Sequence, residues 1–294
     1  MKNHLYGIYP PLTTPFIEDE LSLENLQKNL RRYERKNFSG YVLFGSNGES
    51  AFLTKNEKLQ IVSNVREHTK KTLIAGTGLD SIKETIHLTN EAAEKGANYA
   101  LIITASFFKS EMKHHTFLNY YTKVAESVMI PVIIYNVPKF TNVNIEPETI
   151  IKLAEHPNIA GLKDSTENPS RISEIVANVP ESFKVIVGTA SVLYSGLSSG
   201  AVGGILALAN IAPDECIQIY NLMREKNFER ALEIQNRMIP VNKAVTAKFG
   251  VAGLKAAMDM MGYFGGSPRL PLEPLNEAQL IELKMILKKA SLIE

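Results

Sequence analysis

The sequence holds no tryptophan and a single cysteine, Cys216, among its 294 residues. One cysteine cannot form an internal disulfide, so nothing ties the chain to an oxidising compartment. No apolar run is long enough for a membrane-spanning helix; the longest, Ala201 to Ala209, is interrupted by Gly203 and Gly204. The stretch from Met1 to Pro15 lacks the apolar core of a secretory signal. There is no excess of charge either: 32 Lys and Arg against 31 Asp and Glu leave a net +1. A near-neutral chain without a basic block has no general attraction for nucleic acid or anionic membrane. The expectation is a soluble cytoplasmic protein with neither kind of partner.

What the chain does have is a regular alternation. Short apolar runs occur at Gly7–Pro10, Gly40–Gly45, Thr72–Gly76, Tyr99–Thr104, Val132–Tyr135, Ile159–Lys163, Lys184–Gly188 and Ala201–Leu208. Several are apolar at consecutive positions, as in Leu101-Ile102-Ile103, which is the pattern of strands covered on both faces in a parallel sheet. Amphipathic segments lie between them. Leu23, Leu26, Leu30 and Tyr33 fall at helical spacing behind Ser22 as an N-cap, and Thr54 with Glu57 forms a capping-box signature. Asp80 or Ser81 opens a third helix. Further helices are expected at Lys113–Val128, Glu148–Glu155, Ser170–Val179 and Val192–Ser199.

Eight strand–helix repeats fit an α/β fold of the (β/α)8 TIM-barrel kind. An open doubly wound sheet would alternate in the same way, but Gly76-Thr77-Gly78 leads into Leu79-Asp80-Ser81 rather than a dinucleotide fingerprint, and no Walker sequence is present. From Pro213 onward the pattern is helical throughout. The expected division is a catalytic barrel over residues 1–212 and a C-terminal helical region over 213–294 packed on it.

Barrel enzymes carry their chemistry at the C-terminal ends of the strands. There, Lys163 closes the apolar run Ile159–Leu162, where a cation is costly to bury without a partner. Burial favours the neutral amine, a nucleophile towards carbonyls. A strand-end lysine can equally reach solvent or pair with Asp164. Tyr135, at the end of Val132-Ile133-Ile134, can shuttle a proton, or can be a half-buried phenol with a satisfied hydroxyl. Gly45-Ser46-Asn47-Gly48-Glu49 permits a tight turn whose N–H groups and side chains suit a carboxylate, although an ordinary βα turn reads the same way. The six histidines show no metal-ligand spacing, so no metal is expected. Cys216, at helical spacing with Ile219 and Tyr220, reads as a small core residue.

Four segments occur together in order: Gly7-Ile8-Tyr9-Pro10-Pro11-Leu12-Thr13-Thr14-Pro15-Phe16, the Gly45–Glu49 loop, Tyr135-Asn136-Val137-Pro138 and Gly161-Leu162-Lys163-Asp164. With them the whole chain resembles the dihydrodipicolinate synthase / N-acetylneuraminate lyase family of class I aldolases. The resemblance implies a barrel with C-terminal helices, usually a homotetramer, and a lysine that forms a Schiff base with pyruvate or another 2-oxo acid, with no cofactor. It implies that Lys163 is that lysine, that Tyr135 is the proton-shuttling phenol and that Ser46 shares in the catalytic relay. Ser46 and Asn47 would hold the substrate carboxylate, with the backbone of Gly188 and Ile205 beside it.

Two departures bear on the aldehyde partner. The family's synthases place an arginine two residues after the Tyr-x-x-Pro proline; this chain has Phe140, preceded by Lys139. They also have a Tyr-Tyr segment whose hydroxyl is lent to a neighbouring subunit; here Phe107-Phe108 stands in the matching stretch. Within the family the chain looks most like 4-hydroxy-2-oxoglutarate aldolases, on Gly7–Phe16, Gly45–Glu49, His156-Pro157-Asn158-Ile159 and Ala244–Gly266. The leading expectation is a lyase that cleaves a 4-hydroxy-2-oxo acid to pyruvate and an aldehyde. The alternatives are 4-hydroxy-tetrahydrodipicolinate synthase, a sugar-acid or sialic-acid lyase, and a catalytically silent protein that binds a 2-oxo acid.

Overall fold

The computed structural model describes residues 5–294. Eight strands form one parallel sheet: β1 (Gly7–Tyr9), β4 (Gly40–Leu43), β5 (Thr72–Ala75), β6 (Tyr99–Ile103), β7 (Val132–Asn136), β8 (Ile159–Asp164), β9 (Lys184–Val187) and β10 (Gly203–Ile205). In space they run β1-β10-β9-β8-β7-β6-β5-β4. The ends meet: Val42 N–H donates to the Pro10 carbonyl at 3.1 Å and Leu12 N–H to the Val42 carbonyl at 2.9 Å, which closes the barrel. β2 (Phe16–Ile17) and β3 (Glu20–Leu21) make a small antiparallel hairpin outside it.

Two cores follow from the alternation of strand side chains. Tyr9, Val42, Ile74, Leu101, Ile133, Ile186 and Ile205 fill the barrel interior. Their strand neighbours, such as Leu43, Leu73, Ile102, Ile134 and Val187, pack outward against the helices. The consecutive apolar runs therefore serve two buried faces, as the sequence implies.

The helices follow their capping signals closely. Thr54 Oγ1 accepts the Glu57 N–H at 3.2 Å while the Glu57 carboxylate accepts the Thr54 N–H at 2.7 Å, opening the helix Lys55–His68. Ser81 caps Ile82–Glu94. Ser22 precedes the helix Leu23–Tyr33 but makes no capping bond to its backbone; its hydroxyl accepts instead from the Asn25 amide at 3.0 Å. After the barrel come helices Pro213–Arg224, Phe228–Lys243, Gly250–Met260 and Glu277–Lys289. Within the stretch that the sequence reads as helical from Pro213 onward, the structure has a π-helical turn at Ala244–Lys248 behind the in-helix Pro240. Among the described residues no helix is long and apolar enough to cross a membrane.

Candidate active site

Parallel pairing with a register shift at Val132/Ile133 sets Gly161 beside Ile133, Lys163 beside Tyr135 and Asp164 beside Asn136. Lys163 and Tyr135 therefore share one face at the C-terminal mouth of the barrel. The Lys163 amine lies over the Tyr135 ring, 4.0 Å from its centroid. Both residues are buried, and Lys163 makes no ion pair among the described residues. Asp164 points to the opposite face. Its carboxylate accepts from Arg171 Nε at 3.0 Å and the Asn136 amide at 3.1 Å, and also from the Thr166 hydroxyl. The pairing of Lys163 with Asp164 left open by the sequence is thus excluded by strand alternation.

Ser46 opens a 3₁₀ turn, Ser46–Gly48, after β4. Its hydroxyl stands 3.3 Å from the Tyr135 hydroxyl, so the turn, the phenol and the amine form one continuous constellation. Within the turn, Gly48 N–H bonds the Gly45 carbonyl and Glu49 N–H the Ser46 carbonyl. The leading N–H groups of such a turn have no partner inside it. Asn47 lies beside them on the wall of a cleft of about 1710 Å³ that also exposes Lys163, Tyr135 and Gly188. A Cβ at Gly188 would stand 1.9 Å from Ser165 Oγ, so any larger residue there would have to turn the Ser165 hydroxyl aside.

Ile205 ends β10 with its side chain fully buried in the barrel interior, so only its backbone could meet a substrate, and Ala207, two residues on, lines the cleft wall. Phe140 does line the cleft, 57% exposed, with no cationic head to offer. Lys139 beside it donates to the Thr246 carbonyl at 2.8 Å. Phe107 and Phe108, 77% and 73% exposed, project from the surface edge to face and are not part of the cleft wall of their own chain. Burial pushes the Cys216 thiol well up, in keeping with an inert core residue.

Two groups escaped the sequence reading. Ser165 Oγ and Thr104 Oγ1 are buried, line the cleft and have no hydrogen-bond partner. The signal for Ser165 was its place two residues past Lys163. Both oxygens are shielded from solvent, and a buried hydroxyl without a partner is uncommon.

A buried lysine with no counter-ion, a phenol over which it lies and a hydroxyl-bearing turn, all at the C-terminal mouth of a closed barrel, define an enzyme of the class I aldolase kind, a lyase. The chain belongs to the dihydrodipicolinate synthetase family, whose model matches residues 4–290. It is 35% identical over 288 residues to a 4-hydroxy-tetrahydrodipicolinate synthase of Archaeoglobus fulgidus, covering 98% of this chain and 99% of that one. A synthase of the same name from Methanocaldococcus jannaschii is 33% identical over 290 residues, with 98% and 99% covered. The solved dihydrodipicolinate synthase of Aquifex aeolicus superposes with a TM-score of 0.93 at 32% identity, over 98% of this chain and 99% of that one. These names match the alternative weighed in the sequence rather than its leading 4-hydroxy-2-oxoglutarate expectation.

Proposed function

We propose that the cleft performs Schiff-base chemistry on a 2-oxo acid, pyruvate first, and makes or breaks a carbon–carbon bond between it and an aldehyde. The observation that carries this reading is the buried, unpaired Lys163 amine against the Tyr135 ring. The neutral amine adds to the C2 carbonyl, and loss of water from the carbinolamine leaves an iminium on Lys163. In the cleavage direction the C3–C4 bond breaks as the 4-hydroxyl gives up its proton and the aldehyde departs. The electron pair rests as an enamine until C3 is protonated, and water then releases pyruvate and the amine. Tyr135 moves these protons, with Ser46, 3.3 Å away, extending the relay. Ser46 and Asn47 hold the carboxylate, and Gly188 keeps the opposite wall open.

Kinship supports aspartate semialdehyde as the aldehyde, which is the synthase reading, and of the two readings it has the greater support from relatives. One residue weighs on the other side. Phe140 offers a phenyl ring where the family's synthases have an arginine, so it cannot grip a carboxylate with a bidentate cation. That counts against the synthase reading without selecting another aldehyde, because the aldehyde half of 4-hydroxy-2-oxoglutarate carries a carboxylate as well. Two assays decide between them: consumption of pyruvate with aspartate semialdehyde, and release of pyruvate from 4-hydroxy-2-oxoglutarate. The faster reaction at equal substrate names the function. Phe140→Arg is expected to raise the first at least tenfold relative to the second, and an unchanged ratio would show that residue 140 does not select the aldehyde.

The same reading includes a cytoplasmic homotetramer, with residues 1–212 as the catalytic barrel and 213–294 as the packed helical region. A neighbouring copy would cover Phe107 and Phe108. Replacing both by Asp should lower the mass measured by light scattering; an unchanged mass places the interface elsewhere.

A further inference from the structure

The one fully buried ion pair among the described residues joins Glu49 to Lys255, 206 positions away in sequence. Neither side chain has any exposure. Lys255 Nζ donates to Glu49 Oε1 at 2.6 Å and to the Ser267 carbonyl at 2.9 Å, and lies over the Phe16 ring. Glu49 Oε2 accepts the backbone N–H of Arg269 at 2.7 Å. Both carboxylate oxygens are thus engaged, each by a group from the segment beyond residue 250.

Glu49 directly follows the Ser46–Gly48 turn and closes it, its N–H bonding the Ser46 carbonyl at 3.2 Å. It does so with φ at +57°, a left-handed conformation unfavourable for a glutamate. A strained residue at a ligand turn persists only where its surroundings hold it. A buried ion pair is a poor way to gain stability, because desolvation offsets its attraction and apolar replacements often do as well. What it supplies here is direction: two hydrogen bonds fix the carboxylate, one on each oxygen, and the carboxylate fixes the turn. Thr14 Oγ1 on the Gly48 carbonyl at 2.7 Å steadies the other side.

We infer that Glu49 and Lys255 are positioning residues for substrate binding: the pair anchors the Ser46–Asn47 turn to the C-terminal helix Gly250–Met260, so that this region sets the affinity of the cleft for the 2-oxo acid carboxylate. The inference rests on the reading of that turn as the carboxylate site. It gives the helical region a part in binding that its distance in sequence conceals.

The test uses the full chain and measures the pyruvate concentration that half-saturates borohydride trapping, alongside the melting temperature. Lys255→Met leaves Glu49 buried without its cation, so it should lower the melting temperature and raise the half-saturating concentration. The double variant Glu49→Gln, Lys255→Met removes both charges and should recover most of the melting temperature. Its half-saturating concentration should stay about tenfold above that of the unaltered protein, as expected for losing an oriented charge-assisted contact behind the turn. If that concentration returns to normal together with the melting temperature, the pair is structural only and the inference fails. Should the double variant not fold, Glu49→Asp keeps the charge but is too short to reach Lys255 and Arg269 together. It should also raise the concentration, and no change there would overturn the inference. Absence of any adduct in the unaltered protein would instead overturn the Schiff-base reading itself, and the inference with it.

Discussion

Lys163 sets an amine into an apolar wall, and a methionine of similar volume would avoid burying that polar head. Lys163→Met is therefore expected to abolish turnover while the melting temperature stays level or rises. A fall of many degrees would show that the amine has a stabilising partner and is not free to react. Tyr135→Phe keeps the ring under the amine and removes only the hydroxyl 3.3 Å from Ser46. Turnover should drop by about 10²–10⁴, the usual worth of a positioned proton-transfer group, with little change in stability. A variant with normal turnover would move the relay elsewhere. Lys163 and Tyr135 were legible in the sequence because each ends an apolar run, where polar chemistry is conspicuous. The partner of Asp164 was not, since which face a strand residue takes depends on register. Ser165 and Thr104 were illegible for another reason: a hydroxyl becomes notable only when it is seen to be buried and unpartnered.

The strands could be read from sequence because a residue buried on either face of the sheet must be apolar, leaving consecutive runs. The hairpin Phe16–Leu21 was missed because two-residue strands leave no pattern. The π-helical turn was missed because its residues continue the helical spacing on both sides. At the end of β10 the Ile205 side chain fills the barrel interior, and Ala207, two residues on, reaches the rim. Strand packing also explains a glycine. A Cβ at Gly161 would stand 2.2 Å from the Lys184 carbonyl oxygen on β9, which is backbone and cannot swing away. Gly161→Ala should cost about 1–3 kcal/mol through overpacking. It should show as a lower urea midpoint at unchanged slope. Thr54→Ala, which removes one side of the capping box, should cost about 1 kcal/mol. Equal midpoints for Gly161→Ala and the unaltered protein would mean that the sheet yields more than its hydrogen bonding allows.

Across the whole molecule, charge ties the C-terminal segment to the first third of the chain. Arg269 reaches Glu57 at 2.7 Å, Asp19 at 2.8 Å and the Phe52 carbonyl at 2.8 Å. The Arg269 hydrogen bond holds the Glu57 carboxyl below its ordinary value of 4.5. The unfolded chain therefore binds more protons than the folded one between the folded value and 4.5, and stability rises with pH across that window. The contribution is complete above 4.5 and disappears as pH falls through the folded value. Glu57→Gln should lower stability at neutral pH and flatten the acid limb of the melting profile; an acid limb of unchanged steepness would contradict this role. These contacts span some 200 positions, and neither composition nor periodicity encodes such pairings, so the helical region could be read from sequence as a packed addition but not as the support behind the Ser46 turn.

If Lys163 forms the covalent bond to substrate, reductive trapping will mark it. The protein is mixed with pyruvate, reduced with borohydride, digested, and the modified peptide located by mass spectrometry. A single stable adduct on Lys163 is expected, lost in Lys163→Met. An adduct on any other lysine, or none with pyruvate or longer 2-oxo acids, would contradict it.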